Sequence, residues 1–121
     1  MTINILAVDD SRTIRELVKM TFAEAGYSTQ LAEDGVQGLE VLEGFEPDVI
    51  LTDINMPRLD GFGFIDAVRN QKKYAKTPIL VLTTEYAEEL KSRARLAGAT
   101  GWIVKPFDGS KLVRAVELVS G

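Results

Sequence analysis

The sequence predicts an α/β fold: five βα units forming one doubly wound parallel sheet in a single domain. Three observations predict it. Apolar runs of strand length alternate with amphipathic stretches from end to end. The runs at 3–8, 49–53 and 78–84 are apolar on both faces, as strands are when helices cover both sides of a parallel sheet. The run at 27–32 alternates instead, which suits a half-exposed edge strand.

Taken in order, Ile3 to Val8 is a nearly continuous apolar run broken by Asn4. Over 14–25, Ile14, Leu17, Val18, Phe22 and Ala25 share a helical face, while Arg15, Glu16, Lys19 and Glu24 point elsewhere. Gly26 stands where a helix C-terminus takes a residue tolerant of positive φ. In the edge strand Tyr27, Thr29 and Leu31 lie on one side and Ser28 and Gln30 on the other. Asp34 is placed to cap a helix over Gly35–Glu43, with Val36, Leu39 and Leu42 inward. Pro47 introduces the strand 49–53, the loop "INMPRLDG" follows, and a helix runs from about Phe62 to Arg69. After "PILVLTT" (78–84), the helix at 86–97 turns Ala87, Leu90, Ala94 and Ala97 inward, with Glu88, Glu89, Lys91, Arg93 and Arg95 outward. "GWIVK" (101–105) is the fifth strand, and Asp108 caps a last helix bearing Leu112, Ala115, Val116 and Val119. The strand order 2-1-3-4-5 satisfies these patterns with right-handed crossovers. A Rossmann half-domain in order 3-2-1-4-5 stays open and would bury the second strand more fully.

Composition narrows the chemistry. A chain of 121 residues with 45% hydrophobic residues suits one domain, expected to span 1–121. Its net charge of −4, with no basic run, argues against nucleic acid or an anionic membrane as the main partner. Without cysteine or histidine the chain has no disulfides, no thiolate or imidazole metal site and no histidine catalysis. The N-terminal apolar run is too short for a signal peptide or a membrane span, so a cytoplasmic location is expected.

In open α/β sheets, ligands bind beyond the carboxyl ends of the strands where the order reverses, here between the first and third. The strand tips carry Asp9 and Asp10, then Asp53, then Thr83, then Lys105. Clustered carboxylates repel unless a cation neutralises them, and oxygen-only ligands specify a hard divalent ion, Mg²⁺. Metal, ammonium and hydroxyl together suit the equatorial oxygens of a phosphoryl group in transfer. With no cysteine or histidine, one carboxylate must be the nucleophile. Asp53 is the best placed, alone at the central strand. Each residue also has an ordinary reading taken singly: Asp10 as a helix cap, Thr83 as a strand end, Lys105 as a solvated turn. It is their convergence on one rim that favours the site.

At this point "VDDS", "LTDINMPRLDG", "VLTTE" and "KPF", in this order and spacing, resemble the receiver domain of bacterial two-component response regulators, nearest to the single-domain CheY-like chemotaxis regulators. The resemblance covers the whole chain and carries the flavodoxin-like strand order 2-1-3-4-5 with it, so order and family are one expectation. It implies that Asp53 accepts phosphate from a phosphohistidine on a separate, CheA-like sensor histidine kinase. It implies Mg²⁺ held by Asp10 directly, by Asp9 largely through water, by Asp53 and by the Asn55 backbone carbonyl. Lys105 would pair with the carboxylate at rest and with the phosphoryl group after transfer, and its bond to Pro106 would be cis. Thr83 would move toward the phosphate and Trp102 would swing inward, the fourth helix, fifth strand and fifth helix forming the readout surface. In this family the switch position usually holds Tyr or Phe and the residue after the switch Thr is usually small. Trp102 and Thr84 depart from that pattern, so Trp102 has a second reading as a packed edge-strand aromatic, and Thr84 is expected to alter access to the phosphoryl group.

The resemblance further implies a monomeric signalling switch that catalyses only its own phosphorylation and dephosphorylation, with a phosphatase as a further partner. With no output domain after Gly121 in this sequence, docking on a partner is the expected output, most naturally a flagellar motor switch protein. A phosphorelay intermediate and the receiver domain of a larger regulator are the alternatives. A haloacid-dehalogenase-like phosphatase would need an acid where Asn55 stands, an FMN carrier a Ser/Thr/Gly-rich loop where "DDSRT" stands, and an EF-hand a ligand and a glycine at Pro57 and Arg58.

Overall fold

The computed structural model describes residues 2–120; Met1 and Gly121, the ends of the expected 1–121 domain, lie outside the described residues. The chain runs β1 (Asn4–Val8), α1 (Arg12–Glu24), β2 (Ser28–Ala32), α2 (Gly35–Val41), β3 (Val49–Thr52), α3 (Gly61–Arg69), β4 (Ile79–Thr83), α4 (Glu88–Ala97), β5 (Gly101–Val104) and α5 (Gly109–Ser120). All neighbouring strands pair parallel, in the order β2-β1-β3-β4-β5. The alternating strand is therefore at an edge, and the order 3-2-1-4-5 is not the one adopted.

Because strand side chains alternate between faces, the sheet has two cores. Leu6, Val8, Ile50, Ile79 and Val81 point toward α2, α3 and α4, where they meet Leu42, Phe64, Ile65, Val68 and Ala94. Ile5, Ala7, Val49, Leu51, Leu80 and Leu82 point the other way onto Val18 and Phe22 of α1 and Leu112 and Val116 of α5. Phe22 and Phe64, fully buried on opposite sides, each contribute ~2–3 kcal/mol of transfer free energy.

Two helix starts, those of α1 and α4, differ from the sequence expectation, and at α1 a cap decides the boundary. α1 starts at Arg12, two residues early, because the Ser11 hydroxyl accepts the Ile14 N–H. Leu17, expected inward, is 45% exposed: α1 seats Val18 and Phe22 on the sheet and leaves Leu17 at the margin of that stripe. α4 starts at Glu88, after Ala87, and leaves Tyr86 in the preceding loop, 75% exposed. Asp34 and Asp108 cap α2 and α5 as expected, accepting the N–H groups of Gln37 and Lys111. Gly26 has φ +83°, the left-handed turn that its place after α1 requires.

A short 3₁₀ turn at Lys72–Tyr74, which apolar spacing does not announce, connects α3 to β4. Tyr74 is buried there with its hydroxyl donating to the Leu42 carbonyl at 2.8 Å. Arg69 secures the same corner, donating to the carbonyls of Tyr74 (2.8 Å), Thr77 (2.7 Å) and Gly98 (2.7 and 3.0 Å). Burial lowers its pKa from the ordinary arginine value, but the guanidinium stays charged at neutral pH. Arg69→Met keeps the stem and strands three carbonyls, so a loss of about 2–4 kcal/mol is expected in urea melts. A variant that melts like the parent would show that water replaces the guanidinium at no cost.

Candidate functional site

The carboxyl ends of β1, β3, β4 and β5 share one rim. Asp9 and Asp10 follow β1, Asp53 follows β3, Thr83 closes β4 and Lys105 follows β5. One oxygen from each of Asp9, Asp10 and Asp53 lies within 4.8 Å of the others; Asp9 and Asp53 are buried and Asp10 is exposed. Asp10 does not cap α1, a role taken by Ser11.

Lys105 bridges the two buried acids. Its Nζ donates to Asp9 Oδ2 at 2.7 Å and to Asp53 Oδ2 at 2.9 Å, from a side chain 9% exposed. Burial alone would pull the ammonium pKa down, but the two carboxylates outweigh it and hold it above the ordinary lysine value. Burial pushes Asp9 above the usual carboxylate range, against the opposing pull of Lys105 and the Ser11 N–H, and the Asp53 charge adds to the rise. The second oxygens are also engaged: Asp9 Oδ1 accepts the Ser11 N–H at 2.9 Å and Asp53 Oδ1 the Ile54 N–H at 2.6 Å. The Lys105–Pro106 peptide is cis, as the sequence resemblance implied.

Local backbone chemistry sets Asp53 in place. Its N–H donates to the Val8 carbonyl at 2.9 Å, while the Gly61 N–H reaches the Ile54 carbonyl at 2.8 Å. A Cβ on Gly61 would collide with the Asp53 carbonyl, so only glycine lets α3 begin this close behind Asp53.

Thr83 is buried and makes no hydrogen bond to Asp53; its Oγ1 accepts the Glu85 N–H at 3.3 Å. Trp102 packs half-buried against the core on the α3 side, and its indole N–H donates to the Glu85 carbonyl at 3.0 Å. Asn55 is exposed, with its side-chain amide 3.4 Å from Glu85 Oε1, and Thr84 is exposed. Glu85 thus touches three residues singled out from the sequence, though sequence reasoning gave it no role. Its position two residues past a strand-tip threonine was the available signal.

Arg58 was also missed. Its guanidinium forks onto Asp34, Nε to Oδ2 at 2.8 Å and a terminal nitrogen to Oδ1 at 3.0 Å. The Arg58 fork beside Asp34 holds that carboxyl below the usual range, with the Gln37 N–H adding to it. The stability it contributes is therefore complete above the ordinary aspartate pKa and lost as pH falls through the lowered one.

Three convergent carboxylates with no nitrogen or sulfur donor fit a hard divalent cation such as Mg²⁺. The burial that lifts Asp9 is the kind of charge frustration such an ion relieves.

Comparison with known proteins points the same way. The family model for the response regulator receiver domain matches residues 5–117. The chemotaxis protein CheY1 of Helicobacter pylori is 37% identical over 119 residues, spanning 97% of this chain and 96% of that protein. The structure of the chemotaxis protein CheY4 of Vibrio cholerae matches with a TM-score of 0.94 at 44% identity, over 98% of this chain and 99% of the other. The receiver domain of sensor histidine kinase PA1611 of Pseudomonas aeruginosa matches with a TM-score of 0.92 at 27% identity, over 100% and 99% of the two chains. It was solved with a magnesium ion coordinated in its active site cleft.

Proposed function

The chain belongs to the response regulator receiver domain family, whose members are signalling switches rather than conventional enzymes, and from that premise we propose that Asp53 is its phosphoryl acceptor. The observation that carries this reading is the Lys105 ammonium set between Asp9 and Asp53, beside a third carboxylate on Asp10. An Asp53 oxygen attacks the phosphorus of a phosphohistidine on a sensor histidine kinase of the CheA type. A P–O bond forms, the P–N bond breaks, and the imidazole leaves with its electron pair and picks up a proton from water. Asp9, Asp10, Asp53 and the Asn55 carbonyl would hold Mg²⁺, which when bound neutralises charge on the phosphoryl oxygens. Lys105 keeps its partner Asp9 and turns to the new phosphoryl oxygens, where the Thr83 hydroxyl also donates. Exposed Thr84 borders the entrance and modulates access to the phosphoryl group.

Freeing Thr83 Oγ1 from the Glu85 N–H would loosen the loop that Trp102 holds by its indole. The signal then reaches α4, β5 and α5, the surface that docks on a partner. The chemotaxis names of the Helicobacter and Vibrio relatives favour a flagellar motor switch protein as that target, with a phosphatase resetting the signal. In this reading the chain acts as a monomeric domain over residues 1–121 in the cytoplasm. No helix among the described residues is long and apolar enough to cross a membrane. The Pseudomonas neighbour, a receiver domain of a sensor kinase, favours a second reading, as a relay element or part of a larger regulator.

The test is chemical. A small acyl-phosphate donor is expected to add one phosphoryl group, read by intact mass, with Mg²⁺ and not in chelator. Undiminished labelling in chelator would contradict the proposal. Retention on purified motor-switch peptide, against transfer to a histidine phosphotransferase, separates the two outputs.

A further inference from the structure

The segment Asn55–Leu59 leaves the rim directly after Asp53 and belongs to no helix or strand. Two tethers tie it to the junction of β2 and α2: the Arg58 fork on Asp34, and the N–H of Gly35, the first residue of α2, on the Leu59 carbonyl at 3.1 Å. That junction follows Ala32, whose carbonyl accepts the Asp9 N–H at 3.0 Å. The fork therefore joins the loop behind Asp53 to the backbone that positions Asp9.

Arg58 occupies this place against its own backbone preference. Its φ is +63°, the one non-glycine residue in the left-handed region among the described residues. Glycine or asparagine would take that conformation with less strain, so what arginine adds is the fork itself. The anchor is firm. Asp34 is 3% exposed and uses the same Oδ1 to cap α2, and a bidentate arginine–carboxylate pair fixes direction as well as distance.

We propose that Arg58 is a positioning residue for phosphoryl acceptance: forked onto Asp34, it holds Asn55–Leu59, and with it the Asn55 carbonyl, in register with the acidic cluster before a divalent cation arrives. This rests on the reading of Asp53 as the phosphoryl acceptor. Arg58 touches neither cation nor phosphate; it acts through the loop.

Arg58→Asn tests it, because asparagine keeps the tolerance for positive φ and cannot reach Asp34. Calorimetric titration with Mg²⁺ is expected to show ~10-fold weaker binding, the scale of lost outer-shell support. Removing a positive charge gives no electrostatic reason for a cation to bind more weakly, so weakening has to come from lost positioning. Labelling by acyl phosphate is expected to need more Mg²⁺ yet reach the parent rate at saturation, with the thermal midpoint lowered only slightly, because relief of the positive φ offsets part of the lost pairing with Asp34. Arg58→Gly should repeat the pattern, and Asp34→Asn added to Arg58→Asn should weaken Mg²⁺ binding no further. Equal Mg²⁺ affinity in parent and both Arg58 variants overturns the positioning role and leaves the acceptor reading intact. Affinity that falls only in step with thermal stability in both variants also overturns it, marking a structural tether. Failure of the parent itself to bind Mg²⁺ and accept phosphate overturns the acceptor reading and this proposal together.

Discussion

Replacing Asp53 with asparagine is expected to abolish labelling by acyl phosphate, by at least ~1000-fold, while leaving the fold intact. The amide has the shape of the carboxylate, and its oxygen still accepts the Ile54 N–H. Lys105 keeps Asp9 as its partner, so no buried charge is stranded. The Asp53 charge is one of the causes that raise the Asp9 pKa, so its removal relaxes a like-charge repulsion. The thermal midpoint should therefore stay level or rise, by up to ~1 kcal/mol of stability. Intact-mass spectrometry and calorimetry check the two halves. Full labelling of Asp53→Asn would move the nucleophile to another residue. A collapsed fold would make Asp53 part of the scaffold rather than the reactive group.

Lys105→Met should produce the largest loss of stability in the site, about 3 kcal/mol at neutral pH without Mg²⁺. Methionine keeps most of the stem's volume and takes away the ammonium that sits 2.7 and 2.9 Å from two buried carboxylates. Those carboxylates, 7% and 10% exposed, then face each other without a counter-charge. Added Mg²⁺ should recover more stability in this variant than in the parent, since a bound cation replaces the missing charge. Phosphorylation should remain possible, because the nucleophile is untouched. Partner docking should no longer respond to it, because the ammonium that would draw on the phosphoryl group is gone. Thermal melts across a Mg²⁺ series and a pull-down with and without phosphoryl donor measure both effects. Docking that still strengthens on phosphorylation would remove Lys105 from the coupling.

Much of the architecture can be read along the chain because strand and helix periodicity are local properties. The apolar runs of β1, β3 and β4 and the alternation of β2 come from neighbouring residues, and so do the caps at Asp34 and Asp108. Strand tips are local too, which is why Asp9, Asp10, Asp53, Thr83 and Lys105 could be named before any contact was known. At Ser11 a cap competed with apolar spacing and spacing alone misled; at Ala87, which makes no side-chain cap, the helix starts two residues later than spacing suggests. Leu17 shows the same limit from the side: periodicity gives its direction on the helix but not how far the neighbouring surface extends to cover it.

The sequence by itself determined which groups exist and on which kind of element they ride: an oxygen-only chemistry, a parallel sheet, and acids gathered at strand ends. Tertiary structure alone decided which groups meet. Lys105 bridges to Asp9 across 96 positions, Arg58 reaches Asp34 across 24, and Arg69 closes on Gly98 across 29. It also gave Trp102 a partner that the sequence does not announce, the Glu85 carbonyl. The reason is that pairing energy depends on distance in space and on burial, and neither is defined for two distant residues until the sheet has set its order and register.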